Sequence, residues 1–460
     1  MTTIDIVARG DAPHSSTTNS ELVGGLVRKF EQELGGMVAR VTAEQFSPAQ
    51  FGAFLADLRQ VFAAIGRETM TSVLEIQDAP RAAVMVDDQR LRYRGTRECE
   101  WLTPFGKVRV LRRTYRGDGA GAASAVPLDD ACGMRGRYMT PDVEEMAAFA
   151  SAMLTAREAE QLLAKALPEG PSATAVQNAV RRLGIEIEEQ REAIEDAVAA
   201  ETPLSDKGDV LVASWDGVMA PMRETADVAW REAGVASISI YGQGEEGPEK
   251  LDTRYLARMP ESGMTTLLEQ IADQVTRAKT GRVFREFAVI CDGKDTIWNG
   301  ATTQPVLHDA VWILDFYHAS ENLMKAAKAI FGDGDEAKRW HDKCREKLQL
   351  DPCGCENTIR SMRRYRSVLA KDSAEWKVVT NTISYFRRHQ NRMRYPEFIA
   401  RGLPIGSGPV ESAAKTIVQT RLKRSGMRWS RDGGQHVLDL RTLLKSERWA
   451  PMWNTLKRAA

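Results

Sequence analysis

The chain has 460 residues, 43% of them hydrophobic and 27% charged, which is typical of a folded protein of about three domains. This composition argues against a disordered or fibrous protein, and the absence of a run of 18 apolar residues predicts no membrane-spanning helix. The six cysteines are too scattered for a disulfide scaffold, and the N-terminal stretch lacks the basic start and apolar segment of a secretory signal peptide. We therefore expect a cytoplasmic protein.

Charge is distributed unevenly along the chain. The 63 basic and 63 acidic residues cancel, yet residues 358–448 carry 20 Lys or Arg against 7 Asp or Glu, which leaves a net charge of +13 in that segment. Such a segment favours a polyanionic partner, because a locally basic face attracts nucleic acid whatever the total charge. A solvated helical surface would show the same bias, so both interpretations stay open.

The N-terminal part of the chain divides into three predicted segments. Residues 1–20 are rich in Ser, Thr and Asn and are expected to be disordered. Residues 21–135 show helical spacing of apolar residues and then short β-favouring runs, which predicts helices followed by a small hairpin or meander. Residues 136–204 are again helical.

Two helices within 136–204 have the form of a helix-turn-helix. The turn PEGP separates them, and Ser172 is a natural N-cap for the second helix. This second helix would lie in the major groove of DNA. The residues expected to face DNA are Gln177, Asn178, Arg181 and Arg182. A plain packing unit of two helices would have the same pattern, so this alternative stays open.

From residue 205 the sequence becomes α/β, with apolar strands that carry acidic residues. Asp216 lies within one apolar run, and Asp292 follows another. Each is followed by Gly, which allows close approach of other groups to the backbone. Glu411 follows a Gly-rich turn at the start of a helix. Carboxylates at buried strands are costly unless they are paired or bind a metal.

These three acids suggest metal-dependent phosphodiester chemistry. Carboxylate oxygens favour Mg²⁺ or Mn²⁺ over zinc. Two such ions about 3.5–4 Å apart can activate a water or a 3′-hydroxyl and stabilise the leaving oxygen. A strand-end cap, a turn residue or a helix-dipole partner would each explain one acid alone, but the set of three favours a nuclease or strand-transfer enzyme.

The chain resembles bacterial insertion-sequence transposases with an RNase H-like DDE core, and it is most similar to the ISKra-type family. The resemblance covers roughly residues 205–455. It rests on the segments SWDGVMAPMR, REAGV, CDGKDTIW, WILDFYHASENL, GLPIGSGPVESAAKTIVQTRLKRSGMRWS and LRTLLKSERWAPMW. It implies that Asp216, Asp292 and Glu411 are the catalytic and metal-binding triad.

The resemblance also implies a domain organisation and a mixed α/β fold. The RNase H-like core would comprise 205–318 and 401–460, interrupted by an all-α insertion at 319–400 and preceded by a mostly helical DNA-binding region. The activity expected is DNA transposition with two Mg²⁺ or Mn²⁺ ions, by hydrolysis at terminal inverted repeats and strand transfer into target DNA. A homo-oligomer on double-stranded DNA is expected because two ends must be joined.

Two alternatives to this assignment of function and site remain. The chain could be a nuclease without strand transfer, or a catalytically silent DNA-binding protein derived from a transposase. Within the site, Asp315 also lies at a strand end and could replace Asp292 as second acid; otherwise Asp315 and His318 would support the site or contact DNA, or serve as a helix cap and a structural histidine.

Further residues are candidates for DNA and metal binding. Lys415 lies one turn beyond Glu411 and is best placed to meet a phosphate near the ions. The other basic candidates are Arg387, Arg388, Arg421, Lys423, Arg424 and Arg428. The residues His341, Cys344, Cys353 and Cys355 are of types that bind zinc, but their spacing matches no common zinc site, so incidental clustering is the preferred interpretation.

Overall fold

A computed structural model describes residues 4–5, 19–40, 47–119, 122–223, 229–245 and 247–459. The chain forms two compact units, one from the residues up to 194 together with 453–460, the other from 195–452. Both units contain helices and strands, which confirms the mixed α/β class. None of the helices in the described ranges combines the length and apolar character needed to cross a membrane. Most of the segment 1–20 that we expected to be disordered lies outside the described residues.

The first unit combines a small antiparallel sheet with helices. Its strands, in their order across the sheet, are β1 (Ile4–Asp5), β2 (Ala83–Val86), β3 (Gln89–Thr103), β4 (Gly106–Arg116) and β5 (Ser124–Ala125). Its helices are α1 (Asn19–Arg40), α2 (Pro48–Gln77), α3 (Pro127–Ala131), α4 (Pro141–Met153), α5 (Ala156–Ala166), α6 (Ala173–Glu189) and α7 (Arg191–Glu201), of which α7 continues into the second unit. The helical start and the hairpin of β3 and β4 agree with the sequence-based predictions.

Helix α6 begins at the predicted cap. The Ser172 hydroxyl accepts a hydrogen bond from the backbone N–H of Ala175 at 3.2 Å. Gln177, Asn178 and Arg181 are exposed on this helix, whose opposite side is buried. These three side chains are therefore accessible to a partner, whereas DNA recognition by them stays a prediction.

Arg182 was expected to face DNA with these three residues, but its guanidinium turns towards a buried acid instead. Its guanidinium forms an ion pair with Glu144, whose side chain is 0% exposed, and Arg137 forms a second ion pair with the same carboxylate. Arg182 thus neutralises a buried acid and leaves only part of its side chain to solvent, so that DNA binding by it stays a prediction. Helical spacing alone did not reveal this because Glu144 lies on another helix, α4.

We expect Glu144→Gln to lower the free energy of unfolding of the first unit by about 3 kcal/mol, because it removes the buried carboxylate that pairs with both guanidinium groups and leaves them only the more exposed Glu186. Urea unfolding followed by circular dichroism measures the change. Glu192→Gln, on the exposed side of α7, is the matched control and should cost less than about 0.5 kcal/mol. Equal stability of the two variants would contradict the proposed role of this ion pair.

The second unit is built on a mixed five-stranded sheet. Its strands are β6 (Val210–Met222), β7 (Ala229–Gly244), β8 (Gly247–Arg258), β9 (Glu286–Cys291) and β10 (Val311–Leu314). The order across the sheet is β10-β9-β6-β7-β8, with β10, β9 and β6 parallel and β6, β7 and β8 antiparallel. The strands β6, β9 and β10 agree with those predicted at Asp216, Asp292 and Asp315, whereas β8 was not predicted.

Helices cover both faces of this sheet. They are α8 (Thr265–Lys279), α9 (Asp295–Ala301), α10 (Phe316–Phe331), α11 (Asp335–Leu350), α12 (Gly354–Arg366), α13 (Ala374–His389), α14 (Tyr395–Ala400), α15 (Gly408–Ala413), α16 (Thr420–Leu422) and α17 (Arg431–Lys445); most of the last helix, α18 (Trp449–Ala459), belongs to the first unit. Side chains of a strand alternate between faces, so Val210 and Val212 pack with α10–α14, whereas Leu211 and Ala213 pack with α8 and α9. This double coverage explains the continuous apolar run of β6.

The helical path from α15 to α16 is not regular. A π-helical turn at Ala414–Gln419 connects the two helices, where the sequence predicted one long helix. The backbone carbonyl of Thr416 accepts a hydrogen bond from Nε of the buried Arg441 at 2.8 Å, and the Thr420 hydroxyl donates to the carbonyl of Lys415 at 2.8 Å. These bonds satisfy backbone groups that a π-turn leaves without regular partners. Arg441, which belongs to helix α17, thus helps to hold the segment that carries Glu411 and Lys415.

Candidate metal centre

Asp216 lies in the middle of β6, opposite Val235 of β7. Its Oδ1 accepts a hydrogen bond from the backbone N–H of Gly217 at 2.7 Å. Burial raises the pKa of this carboxyl, and the nearby Asp292 raises it further, while Lys294 acts in the opposite direction. A cation beside Asp216 would relieve this cost of ionisation.

Asp292 directly follows β9, the strand adjacent to β6. Its Oδ1 accepts a hydrogen bond from the backbone N–H of Lys294 at 2.9 Å, and its backbone carbonyl accepts one from the indole N–H of Trp298 at 2.8 Å. The side chain is 11% exposed, so the carboxylate is held by the turn but remains accessible from solvent. The structure therefore brings the first two predicted acids to one edge of the sheet.

The glycines after these two acids leave room for neighbouring side chains. A Cβ at Gly293 would lie 2.2 Å from the ring of Tyr385, and a Cβ at Gly217 would lie 2.0 Å from the carboxylate of Glu232. Close approach to the backbone, the reason suggested by the Asp-Gly pairs, thus applies at both positions. Both neighbours contribute to the surroundings of the acids, and sequence reasoning gave neither of them this role.

Lys294 joins the two aspartates. Its Nζ lies 3.7 Å from Oδ1 of Asp216, 3.5 Å from Oδ2 of Asp292 and 3.0 Å from Oε1 of Glu232. Burial acts to lower the pKa of this ammonium group, but the hydrogen bond to Glu232 and the charges of the two aspartates raise it above its ordinary value. The ammonium is therefore a resident positive charge among three carboxylates.

Glu411 of α15 joins a second group with Asp315 and His318. One ligand atom from each of these residues lies within 4.8 Å of the other two, and this trio is the group suited to holding a metal among the described residues. Burial raises the pKa of Glu411, and the charge of Asp315 raises it further. The third predicted acid is therefore adjacent to the alternative second acid, Asp315.

Asp315 is fully buried and connects three parts of the unit. Its Oδ1 accepts a hydrogen bond from the backbone N–H of His318 at 2.8 Å, and its Oδ2 accepts one from the backbone N–H of Ser407. Burial acts to raise its pKa, but the hydrogen bonds from His318 and Ser407 hold the pKa below its ordinary value. Asp315 is thus the N-cap of α10, one of the roles considered for it, and it also binds the turn that precedes Glu411.

The two groups influence each other electrostatically. His318 lowers the pKa of Asp216 as well as that of Glu411, and Asp292 raises the pKa of His318. The hydrogen bond to Asp315 is the largest cause that raises the pKa of His318, from 6.5 to about 9. The residue is therefore an imidazolium at neutral pH, placed among the carboxylates.

This pKa predicts how the stability of the second unit depends on pH. A folded-state pKa of about 9 against 6.5 in the unfolded chain means that His318 stabilises the fold fully below pH 6.5 and that this contribution is lost as pH rises through about 9. In EDTA, the difference in unfolding free energy between the wild type and His318→Asn should shrink by up to about 3 kcal/mol from pH 6 to pH 10. A difference that does not change with pH would contradict this account.

The donor set fits a hard divalent cation. It consists of carboxylate oxygens, with the imidazolium of His318 beside them; Asp292 raises the pKa of Asp216, and Asp315 raises that of Glu411. Such a set suits Mg²⁺ or Mn²⁺. Among the described residues, the structure groups Glu411 with Asp315 and His318 closely enough for one ion, and it places Asp216 and Asp292 together beside Lys294, without gathering the three predicted acids into a single group.

The predicted DNA-contacting residues have different surroundings. Arg387, Arg388, Lys415, Arg424 and Arg428 are exposed, and Arg388 pairs with Asp295 at 2.6 Å. Lys423 is half-buried, with its ammonium 5.9 Å from the ring centroid of Trp230.

Arg421 is only 4% exposed, and its guanidinium lies 5.0 Å from the ring centroid of Trp429. Its assignment to DNA binding is therefore wrong, because the guanidinium packs inside the unit.

The histidine and cysteines between 341 and 355 make other contacts. His341 hydrogen-bonds with Ser320 and with Asp342, each at 2.9 Å. Cys344 and Cys355 are buried, whereas Cys353 is exposed. In the described ranges these side chains are not among those grouped closely enough to hold an ion.

Sequence reasoning overlooked Lys294 and Glu232. Lys294 stands two residues after Asp292, and that spacing was the available signal.

No family model matches the chain, and the curated proteins contain no match to it either.

Proposed function

We propose that the chain is a DDE transposase with an RNase H-like core, similar to the ISKra-type family, that cleaves and joins DNA in a metal-dependent reaction. The observation that carries this proposal is the placement of Asp216 in β6 and of Asp292 directly after the adjacent parallel strand β9, beside one ammonium group, with Glu411 grouped with His318, whose charge also acts on Asp216. The helical segment at 316–400, which separates β10 from the Glu411 helix, supports an all-α insertion in that core.

We propose Asp292 rather than Asp315 as the second metal ligand, although Asp315 is the acid that is grouped with Glu411 and His318. Both oxygens of Asp315 already accept backbone N–H groups, and the side chain is 0% exposed. Asp292 accepts one backbone N–H, is 11% exposed, and directs its other oxygen to the ammonium of Lys294. In this proposal Asp315 positions the Glu411 turn and the imidazolium of His318, and Asp292 holds the ion.

The residues of the site would divide the chemical work. Two divalent ions, when bound, supply a polarised nucleophile and stabilise the leaving oxygen. Asp216, Asp292 and Glu411 hold the ions, and the imidazolium of His318 offers positive charge to a phosphate oxygen. Lys415 is exposed on the π-turn that follows Glu411 and would contact the DNA backbone.

The remaining exposed basic residues would hold the DNA. Arg387, Arg388, Arg424 and Arg428 belong to the segment of net charge +13. Gln177, Asn178 and Arg181, exposed on α6, would recognise terminal inverted repeats in a helix-turn-helix. The chain would act as a homo-oligomer, because two DNA ends must be joined.

Incubation of the full-length protein with DNA that carries the element's own ends, target plasmid and Mg²⁺ tests this proposal. We expect cleavage at the ends and covalently joined products, both abolished by EDTA. Cleavage without joined products would favour the nuclease alternative. Binding of the ends without cleavage in Mg²⁺ or Mn²⁺ would contradict enzymatic activity and favour a silent DNA-binding protein.

A further inference from the structure

We infer that the ammonium of Lys294 occupies the place between Asp216 and Asp292 that a divalent ion takes, and that it withdraws to Glu232 when the ion binds. Lys294 would then set the affinity of the site for the metal. This inference rests on the proposed function, because it concerns the same metal centre.

The contacts of Lys294 differ in kind. Its Nζ donates a hydrogen bond to Oε1 of Glu232 at 3.0 Å, whereas it approaches Asp292 and Asp216 only at 3.5 Å and 3.7 Å. The lysine is thus fixed to Glu232 and lies more loosely beside the two aspartates. A small movement towards Glu232 would free both aspartates without leaving the ammonium unpaired.

The fold keeps room for this resting place. Glu232 lies on β7 opposite Met219 of β6, and Gly217 pairs across the strands with Gly234. A Cβ at Gly217 would lie 2.0 Å from Oε1 of Glu232, so the glycine allows the carboxylate to lie against β6. The side chain of Glu232 is 43% exposed, so the carboxylate and the ammonium of Lys294 have room to move together.

The two cations exclude each other for electrostatic reasons. An ammonium and a divalent ion that share the same two carboxylates repel each other at a few ångströms, and the site gains from only one of them at a time. Without a divalent ion, Lys294 offsets the negative charges of Asp216 and Asp292. With the ion bound, the ammonium adjacent to the site is available to a DNA phosphate.

Mn²⁺ binding to the full-length protein without DNA, measured by calorimetry, tests the inference. Lys294→Gln removes the competing charge and should bind the first Mn²⁺ about tenfold more tightly, equivalent to about 1.4 kcal/mol. Lys294→Arg keeps the charge and should bind within about threefold of the wild type. Lys279→Gln is the matched control. Lys279 is the last residue of α8 and pairs with Asp309, so its replacement should leave the Mn²⁺ affinity unchanged.

Glu232→Gln should have the opposite effect. Without its resting partner the ammonium stays between the aspartates, and Mn²⁺ affinity should fall about fivefold. The double variant Lys294→Gln/Glu232→Gln should match Lys294→Gln, because Glu232 acts only through the lysine. A double variant that binds more weakly than Lys294→Gln would make Glu232 a metal ligand and overturn its role as resting partner.

The outcomes separate this inference from the proposed function. If the wild type and Lys294→Gln bind Mn²⁺ equally, and Asp292→Asn abolishes binding, the metal centre stands and the role of Lys294 is overturned. If no variant binds Mn²⁺ at millimolar concentration, both proposals fail. Thermal unfolding of each variant in EDTA verifies that all of them fold. We expect the Lys294 variants to fold, because the side chain of Lys294 is 45% exposed and does not belong to the core.

Discussion

Asp216→Asn and Asp292→Asn should each lower the rate of DNA cleavage by at least about 10³-fold, while the affinity for the DNA ends stays within about threefold of the wild type. The amide keeps the size of the side chain but removes the charge that would hold a divalent ion. Both aspartates lie at one sheet edge beside the same ammonium, so either substitution disrupts the same site. Single-turnover cleavage of an end-labelled DNA measures the effect, and a filter-binding or gel-shift assay measures the affinity.

Asp309→Asn is the matched control for these variants. Asp309 is an exposed aspartate of the same unit, paired with Lys279. It should cleave DNA at the wild-type rate, and Glu411→Gln should be as inactive as the two aspartate variants. If Asp292→Asn cleaved within tenfold of the wild type, Asp292 would not be a metal ligand.

Asp315→Ala should lower the free energy of unfolding by about 3–4 kcal/mol in EDTA, whereas Asp292→Ala should lower it by about 1 kcal/mol at most. Asp315 is 0% exposed, accepts two backbone N–H groups, and lies 3.3 Å from Nδ1 of His318, so its removal leaves buried donors without acceptors. Urea unfolding of the full chain gives both values.

A larger loss of unfolding free energy for Asp315→Ala than for Asp292→Ala would indicate that Asp315 supports the fold and that Asp292 is free to bind the metal. A stable Asp315→Ala protein that fails to cleave DNA, together with an active Asp292→Ala protein, would assign the second metal position to Asp315. Retention of the native circular dichroism spectrum must be verified first, because loss of folding alone would also abolish cleavage.

Local sequence patterns predicted most elements that carry the site. The apolar runs of β6 and β9 are largely buried on both faces and therefore stand out, and Ser172 starts its helix because the chemistry of an N-cap is local. Strand β8 was missed because it is an edge strand with the charged sequence GPEKLDTRYLAR, whose pattern resembles an exposed loop.

The parts that could not be predicted depend on contacts between distant segments. Lys294 meets Glu232 only because β7 pairs with β6, and Asp315 meets Ser407 only through the turn that precedes α15. Arg421 has the sequence surroundings of an exposed basic residue, but tertiary packing buries it. A single sequence gives no signal for such pairings, because the charge of a residue does not indicate which partner it finds in the fold.

We propose that ions held by the carboxylates of the second unit act directly on the phosphate that is cleaved. Replacing one non-bridging oxygen of that phosphate with sulfur tests it most directly, because Mn²⁺ accepts sulfur better than Mg²⁺ does. The account predicts that one sulfur diastereomer is cleaved at least about 100-fold more slowly in Mg²⁺ and that Mn²⁺ restores most of the rate. Equal slowing in both metals, or no slowing in either, would contradict direct metal contact with the phosphate.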